Sequence, residues 1–470
     1  MIWNLKKYGN TAALIEGEEI ISYSDLYDIS SELADRVEKR SLAFIRTRND
    51  TGTVAAYVSF LNNGIVPLML DPKIDPEVMG RMLDCYKPGY IWQGDDLSYD
   101  SDDYEPVYSL RGYVLLKCRI QAKTALHDDL ALLISTSGST GSPKLIRISY
   151  ANIISNTRAI IEYLKIDNNE KAICSLPLNY VYGLSVLNTH LYAGASIVLT
   201  KDNCYSRSFW EIFNKNSCSS FAGIPFMYEM MDKLGFTKKH IDTLRTMTQA
   251  GGKLSPTLHE KFAEYAKANG INFVVMYGAS EATARMGYLP PDKAIEKKGS
   301  MGVAIPGGRF ELWDDEGAVI DKADETGELI YFGDNVSMGY AAGPEDLSKD
   351  NENKGCLRTG DLARRDTDGY YYIVGRKKRF IKITGKRINL SEVEMMIKDH
   401  FNIVDVACAG KDDMMEIFIT DASLTDSIAE YIFEVLKINR HLFRICAIPE
   451  IPKNASGKVQ YAELKCPEEK

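Results

Sequence analysis

The sequence predicts an α/β protein: a large, multi-layered N-terminal domain of α/β subdomains with a small β-rich subdomain, followed by a smaller α+β C-terminal domain. Three observations carry this. Short apolar runs alternate with helical patterns as far as Gly299, the layout of strands covered by helices. Beyond Gly299 the texture changes to short strands separated by Gly-Asp turns. After Gly375 a basic stretch leads into a helix, two strands and a helix, enough for a separate unit of roughly 90 residues.

In chain order, Leu130-Ala131-Leu132-Leu133-Ile134 reads as a buried strand. Residues 151–164 read as an amphipathic helix, with Ile153, Ile154, Ile160, Ile161 and Leu164 at helical spacing and Ser149 as N-cap. Strands are expected at 195–199 and 271–275, and helices near 210–214 and 258–268. In the β-rich part, strands are expected at 309–313, 327–332 and 369–374. The turn and charge run at 375–378 marks the expected boundary, giving domains 1–377 and 378–470. Beyond it, a helix at 391–399, strands at 403–409 and 416–420 and a helix at 424–437 complete the chain.

Composition excludes several classes. A chain of 470 residues, 45% hydrophobic, buries a large core without staples. Its net charge of −9 argues against a dedicated nucleic-acid binder. The nine cysteines are odd in number, scattered and without a C-x-x-C pair, so neither a zinc ribbon nor a disulfide framework is expected, and a reducing compartment is. The N-terminus lacks an apolar signal core. The most apolar long stretch, 180–199, carries Asn188, His190 and two glycines, so no membrane span is expected. A cytoplasmic protein is the reading.

The strongest local signal is Ser135-Thr136-Ser137-Gly138-Ser139-Thr140-Gly141-Ser142-Pro143-Lys144, directly after a strand. Glycines let the backbone approach an anion, hydroxyls donate to phosphate oxygens and the lysine adds a point charge. A Walker A loop is absent. A plain surface turn is the alternative for such a Ser/Gly run; the strand before it and the Pro-Lys after it favour phosphate binding.

This string resembles the phosphate loop of the adenylate-forming superfamily, which contains acyl-CoA synthetases, peptide-synthetase adenylation domains and luciferases. Further motifs follow in family order. Tyr277-Gly278-Ala279-Ser280-Glu281 resembles Tyr-Gly-x-Thr-Glu, with Ser280 for threonine. Thr359-Gly360-Asp361 resembles the family's Thr-Gly-Asp. Glu328 and Gly339-Tyr340 fit its Gly-Glu-Leu…Gly-Tyr spacing. The stretch from Gly375 to Arg387, with seven basic residues in thirteen, resembles the interdomain hinge. Pro452-Lys453-Asn454-Ala455-Ser456-Gly457-Lys458 resembles Pro-Lys-Thr-x-x-Gly-Lys, with Asn454 for threonine.

The resemblance implies the roles. Lys458 would be the catalytic lysine, with Ser280 at the α-phosphate and Glu281 holding Mg²⁺, to which Thr140 is also assigned. Thr136, Ser137, Gly138, Ser139, Thr140, Gly141 and Lys144 would hold the β- and γ-phosphates of ATP. Gly252, Tyr277 and Gly278 are placed with the nucleotide, with Asp361 on the ribose and Arg376 reaching the same ligand. Lys378 would be the hinge of a mobile lid, and Lys382 and Gly385 would face the thiol. Tyr180, Ala222, Phe226, Ala250, Gly251, Met276 and Met286 are the candidate acyl-pocket positions. The implied reaction is adenylation of a carboxylic acid with loss of pyrophosphate, then acyl transfer to a thiol. CoA is the favoured acceptor, and a separate phosphopantetheine carrier protein is the alternative. The basic hinge would suit either acidic partner. No aspartate occurs between Cys174 and Thr200 to balance an α-ammonium group, so an acid without one is favoured over an amino acid. A carboxylate is already ionised near neutral pH, so the missing Ser-His-Asp constellation is expected.

Overall fold

The computed structural model describes residues 2–97, 103–120, 124–135, 144–453 and 458–466. Two large sheets form the body. The first holds eight strands, in the order Gly339–Ala341, Leu145–Ser149, Leu130–Ser135, Val66–Leu70, Leu42–Arg46, Tyr90–Gly94, Tyr113–Cys118 and Tyr104–Leu110. Its centre is parallel, with Leu42 opposite Val66 and Leu68 opposite Leu133. The second holds nine: Val303–Ala304, Gly287–Tyr288, Asn272–Tyr277, Thr246–Gln249, Ser220–Gly223, Lys171–Cys174, Ser196–Leu199, Ala12–Glu16 and Glu19–Ser22. The parallel strands are unbroken apolar runs because both faces are covered; all five residues of Val66–Leu70 are buried.

Helices Thr51–Asn62 and Val181–Ala193 lack a polar face, and most of their residues are buried. They share one core with both sheets, where Val58 and Leu187 meet Leu14, Ala43, Ile45 and Ile197. The apolar stretch at 180–199 is thus an internal helix and strand. Among the described residues, no helix is long and apolar enough to cross a membrane. The helix expected at 151–164 spans Tyr150–Leu164. Ser149 caps it by a reciprocal pair of bonds: its Oγ accepts from the Asn152 N–H at 3.1 Å, and Asn152 Oδ1 accepts from the Ser149 N–H at 2.9 Å.

The β-rich part is an antiparallel sheet of Arg309–Trp313, Thr326–Phe332, Cys356–Arg365 and Tyr371–Arg376. The last strand starts later than the expected 369, because Gly369 sits at φ +87° in the turn closed by its N–H on the Asp366 carbonyl. Gly339–Ala341 leaves this unit and pairs with Leu145–Ser149 of the first sheet.

After Arg376 a single turn, Lys377–Arg379, leads to a hairpin of Phe380–Ile383 and Lys386–Asn389. Helices Leu390–Phe401 and Thr425–Leu436 share a core with a sheet of Val406–Lys411, Met414–Ile419 and Phe443–Ala447. The strand expected from 403 begins only at Val406, since Asn402 ends the helix in the left-handed region. Strand Phe443–Ala447, parallel to Met414–Ile419, is unforeseen, and so is its consequence. It carries Cys446 into a small apolar cluster against which Cys466 packs, and the two form a disulfide across 20 positions. This corrects the expectation of thiols throughout: two lone cysteines so spaced carry no sequence signal, and only the tertiary path joins them.

Candidate active site

Three motif residues distant in sequence converge at the junction of the second sheet with the four-stranded one. Tyr277 ends strand Asn272–Tyr277, and its hydroxyl donates to Asp361 Oδ2 at 2.5 Å. Asp361 lies opposite Arg376 across two paired strands, and Arg376 Nε approaches Asp361 Oδ1 at 3.1 Å. The Asp361 residue is only 6% exposed. Burial pushes its carboxyl above the usual carboxylate range, and Arg376 and the Tyr277 hydroxyl oppose that push. Burial likewise raises the Tyr277 phenol, which therefore stays a donor.

Past Tyr277 the chain turns tightly. A Cβ on Gly278 would lie 1.7 Å from the Ala284 carbonyl oxygen, so only glycine fits. Ser280 and Glu281 stand on the following turn, Ser280–Ala282. Glu281 Oε1 accepts from the Tyr340 hydroxyl at 2.8 Å, and Lys144 Nζ lies 6.0 Å from the centre of the Tyr340 ring. Tyr340 thus links Glu281 to Lys144, at the end of the stretch expected to bind phosphate. That stretch's residues Thr136, Ser137, Gly138, Ser139, Thr140 and Gly141 lie outside the described residues.

Lys458 Nζ lies 5.4 Å from the centre of the Tyr180 ring. Lys453, upstream in the same tail, places its ammonium 4.4 Å over the Phe226 ring and 2.6 Å from Asp405. The tail therefore rests against two candidate pocket aromatics. Tyr180 in turn touches the turn after Thr246–Gln249: a Cβ on Gly251, which has φ +87°, would meet the Tyr180 hydroxyl at 3.0 Å. Ala250 is buried beside it, and the Gly252 carbonyl accepts from Gln249 Nε2 at 2.9 Å.

Tyr182, whose ring centre is 6.4 Å from that of Tyr180, borders a cavity of about 40 Å³ together with Ser185, Ala222, Thr248, Met276 and Arg285, among others. Ala222 and Met276 are the two candidate pocket positions on its wall. Met286 packs elsewhere, with Phe310 and Leu329 in the core under the four-stranded sheet.

The basic stretch from Gly375 to Arg387 is less free than its composition suggests. Lys377 pairs with Asp315 at 3.2 Å and Glu328 at 3.4 Å. Arg379 pairs with Glu394 at 2.6 Å and lies 3.8 Å over the Tyr461 ring. Glu328 also binds Arg358 at 2.6 Å, which holds its carboxyl below the usual range. Lys378, Lys382, Gly385 and Lys386 remain exposed. The backbone N–H of Lys382 donates to Asp412 Oδ1 at 2.8 Å, and Gly385 turns the hairpin at φ +80°. A uniformly cationic strip is thus reduced to a few lysines. Tyr340 and Lys453 were quoted only as motif letters, and Arg285, on the cavity wall, was named by no motif. For Arg285 the one signal was a charge set between Ala284 and Met286.

Comparison with known proteins matches these features. The family model for AMP-binding enzymes matches residues 2–341. The chain is 28% identical over 357 residues to a peroxisomal OPC-8:0-CoA ligase of Arabidopsis thaliana, covering 72% of this chain and 64% of that one. It is 29% identical to an oxalate–CoA ligase of the same plant, covering 71% and 66%. It thus spans about two thirds or less of the length of these relatives. A 2-succinylbenzoate–CoA ligase of Bacillus subtilis is 24% identical, covering 96% and 94%. The solved O-succinylbenzoate CoA synthetase of Bacillus subtilis in complex with AMP superposes with a TM-score of 0.80 at 21% identity, covering 98% and 97%. That last likeness establishes the shared fold, a large N-terminal domain carrying a small C-terminal one. With the family model spanning well over half its length, the chain belongs to the family of AMP-binding enzymes.

Proposed function

We propose that this chain is an acid–thiol ligase that joins a carboxylic acid to a thiol, CoA by preference, at the expense of ATP. In the first half-reaction a carboxylate oxygen bonds to the α-phosphorus of ATP and pyrophosphate leaves. In the second the thiol sulfur attacks the acyl carbon and AMP leaves. The observation that carries this is the tail lysine, Lys458, standing over Tyr180, whose ring centre is 6.4 Å from that of Tyr182 on the wall of a cavity. Two anions must meet in the first step, and a cation there lowers their repulsion. Asp361 is suited to the ribose, because an ionised carboxylate is acceptor-only and meets two hydroxyl donors. Tyr277 and Arg376 hold it in place.

Mg²⁺ fits the donor set: it keeps most of its waters, taking one or two protein carboxylates plus phosphate oxygens, and Glu281 offers a hard oxygen oriented by Tyr340. When bound, it would offset charge on the phosphates. Lys144 and the loop from Thr136 to Gly141 are assigned to the β- and γ-phosphates. We take 1–377 and 378–470 as the two domains, with Lys378 as hinge and Lys382 and Gly385 on the thiol side. A cytoplasmic setting belongs to the same proposal, and there the Cys446–Cys466 bond would be open to reduction.

The test is acid-dependent ATP–pyrophosphate exchange over a panel of carboxylic acids, followed by thioester formation with CoA or with a phosphopantetheine carrier protein. Exchange that depends on acid and is lost in Lys458→Ala, with thioester formation from supplied acyl-adenylate preserved, is expected. Equal loss of both half-reactions would contradict the role of Lys458, and carrier loading without CoA turnover would move the acceptor to the alternative.

A further inference from the structure

The cavity bordered by Tyr182 contains a charge that the reaction above does not use. Arg285 is 3% exposed. Its backbone is pinned from two sides: the carbonyl accepts from Asn156 Nδ2 and Asn335 Nδ2, each at 2.8 Å, and the N–H donates to Asn156 Oδ1 at 3.3 Å. The side chain lines the cavity. Its guanidinium carbon lies 3.9 Å over the Tyr182 ring, Nε donates to the Met276 sulfur at 3.4 Å, and the guanidinium also bonds the Tyr163 hydroxyl. Among the described residues, no carboxylate comes within the 4.0 Å of an ion pair. Glu170 lines the same cavity, but its carboxylate accepts from Ser219. The other groups around Arg285 are neutral. Burial raises the phenols of Tyr163 and Tyr182, and it holds His190 down at about 4, so its ring is uncharged near neutral pH.

Arg147 shows how this fold treats a buried guanidinium that is purely structural. It is 0% exposed, and it donates to the carbonyls of Met338, Tyr340, Lys349 and Asp350 and to the Glu352 carboxylate at 2.6 Å. Arg285 has no comparable set. An arginine does not shed its proton, so its burial costs a full charge unless an anion meets it. The Tyr182 face and the Tyr163 hydroxyl offset part of that cost, and no anion among the described residues meets the planar donor fork.

We infer that Arg285 recognises a second anionic group on the acid substrate, so that this chain prefers dicarboxylic acids, activating one carboxylate beside Lys458 and seating the other against Arg285. The inference rests on the proposed ligase reading. Aromatic side chains connect the two cations. Lys458 lies 5.4 Å from the Tyr180 ring centre, the Tyr180 and Tyr182 centres are 6.4 Å apart, and Arg285 lies 3.9 Å from Tyr182. The cavity of about 40 Å³ has the room of roughly three waters, which is the size of a carboxylate. Ser185 and Thr189 spend their protons on helix carbonyls, and Thr248 is paired with the Tyr182 hydroxyl at 2.8 Å, so the guanidinium remains the strong donor.

The test compares matched acids on wild type and on Arg285→Met, a substitution that keeps length and apolar contact. Malonate, succinate, glutarate, adipate and phthalate are set against propionate, butyrate, pentanoate, hexanoate and benzoate. Exchange kinetics and direct binding by calorimetry are both read. The expected result is at least one diacid favoured over its monoacid by about 100-fold in kcat/KM, with the preference lost in Arg285→Met while exchange with the monoacid is kept. Binding of the diacid should fall by a similar factor. Monoacids favoured by wild type, or diacid and monoacid weakened equally by the substitution, would overturn the inference and leave the ligase reading standing. Arg285-dependent diacid binding without exchange would retain the site and sink the ligase reading. Absence of both would overturn both.

Discussion

Alanine at Gly278 adds one methyl where there is no space. The new Cβ would lie 1.7 Å from the Ala284 carbonyl oxygen, whereas real Cβ atoms essentially never come closer than 3.0 Å, so that oxygen must retreat by about 1.3 Å. The segment cannot yield alone. The Met286 N–H is bonded to the Tyr277 carbonyl at 2.9 Å, and the Arg285 carbonyl takes donors from Asn156 and Asn335. The displacement therefore passes into the Ser280–Ala282 turn, which carries Glu281. Overpacking of this kind costs about 1–3 kcal/mol, and misplacing a positioned group by about 1 Å costs on the order of 100-fold in rate. We expect Gly278→Ala to melt several degrees lower and to lose about 100-fold in ATP–pyrophosphate exchange, measured where the variant is still folded. Gly80→Ala is the control: its Cβ would meet nothing within 4 Å, in a helix where alanine is favoured over glycine. A folded Gly278→Ala enzyme with exchange within threefold of wild type would refute the reasoning.

Tyr277→Phe removes a donor to a buried carboxylate, a bond worth about 1.5–3 kcal/mol. ATP KM should rise on the order of 10-fold, and an unchanged KM would detach Tyr277 from nucleotide binding. The pH dependence follows from the raised Asp361 carboxyl. The folded protein holds that proton more tightly than the unfolded chain, so ionisation is penalised by folding above the raised pKa, and the penalty is relieved as pH falls through it. Nucleotide binding needs the ionised acceptor, so ATP affinity should be full above that pKa and fall below it, in a range higher than for an ordinary aspartate. Tyr277→Phe should move this limb to still higher pH, and Asp361→Asn should abolish it; a limb that survives in Asp361→Asn belongs to another group. The Cys446–Cys466 bond closes the segment that carries Lys458, with a separation of 20 residues. A loop of this size restrains the chain by about 3 kcal/mol. Cys466→Ser or a mild reductant should lower exchange several-fold with little change in thioester formation from supplied acyl-adenylate; exchange unmoved by either treatment would show that the bond does not help deliver the lysine.

Much of the molecule was legible beforehand because its signals are local. The strand at Leu130–Ser135 and the capped helix Tyr150–Leu164 follow from contiguous apolar periodicity and the serine that caps it, Ser149. Tyr277, Asp361 and Arg376 were named from short strings, each written by the chemistry of one ligand. Chain direction and pattern thus determined the layered α/β class, and the family motifs picked out Tyr277, Asp361 and Arg376, whose side chains meet. Tertiary structure alone decided which distant residues meet. Tyr340 reaches Glu281 because Gly339–Ala341 joins a sheet other than the one its neighbours build. Cys446 finds Cys466 through an unforeseen parallel strand. Met286 turns into the core while its neighbour Arg285 lines the cavity. Such pairings are set by long-range packing and by where a buried charge finds no partner, and neither is written in any window of adjacent residues.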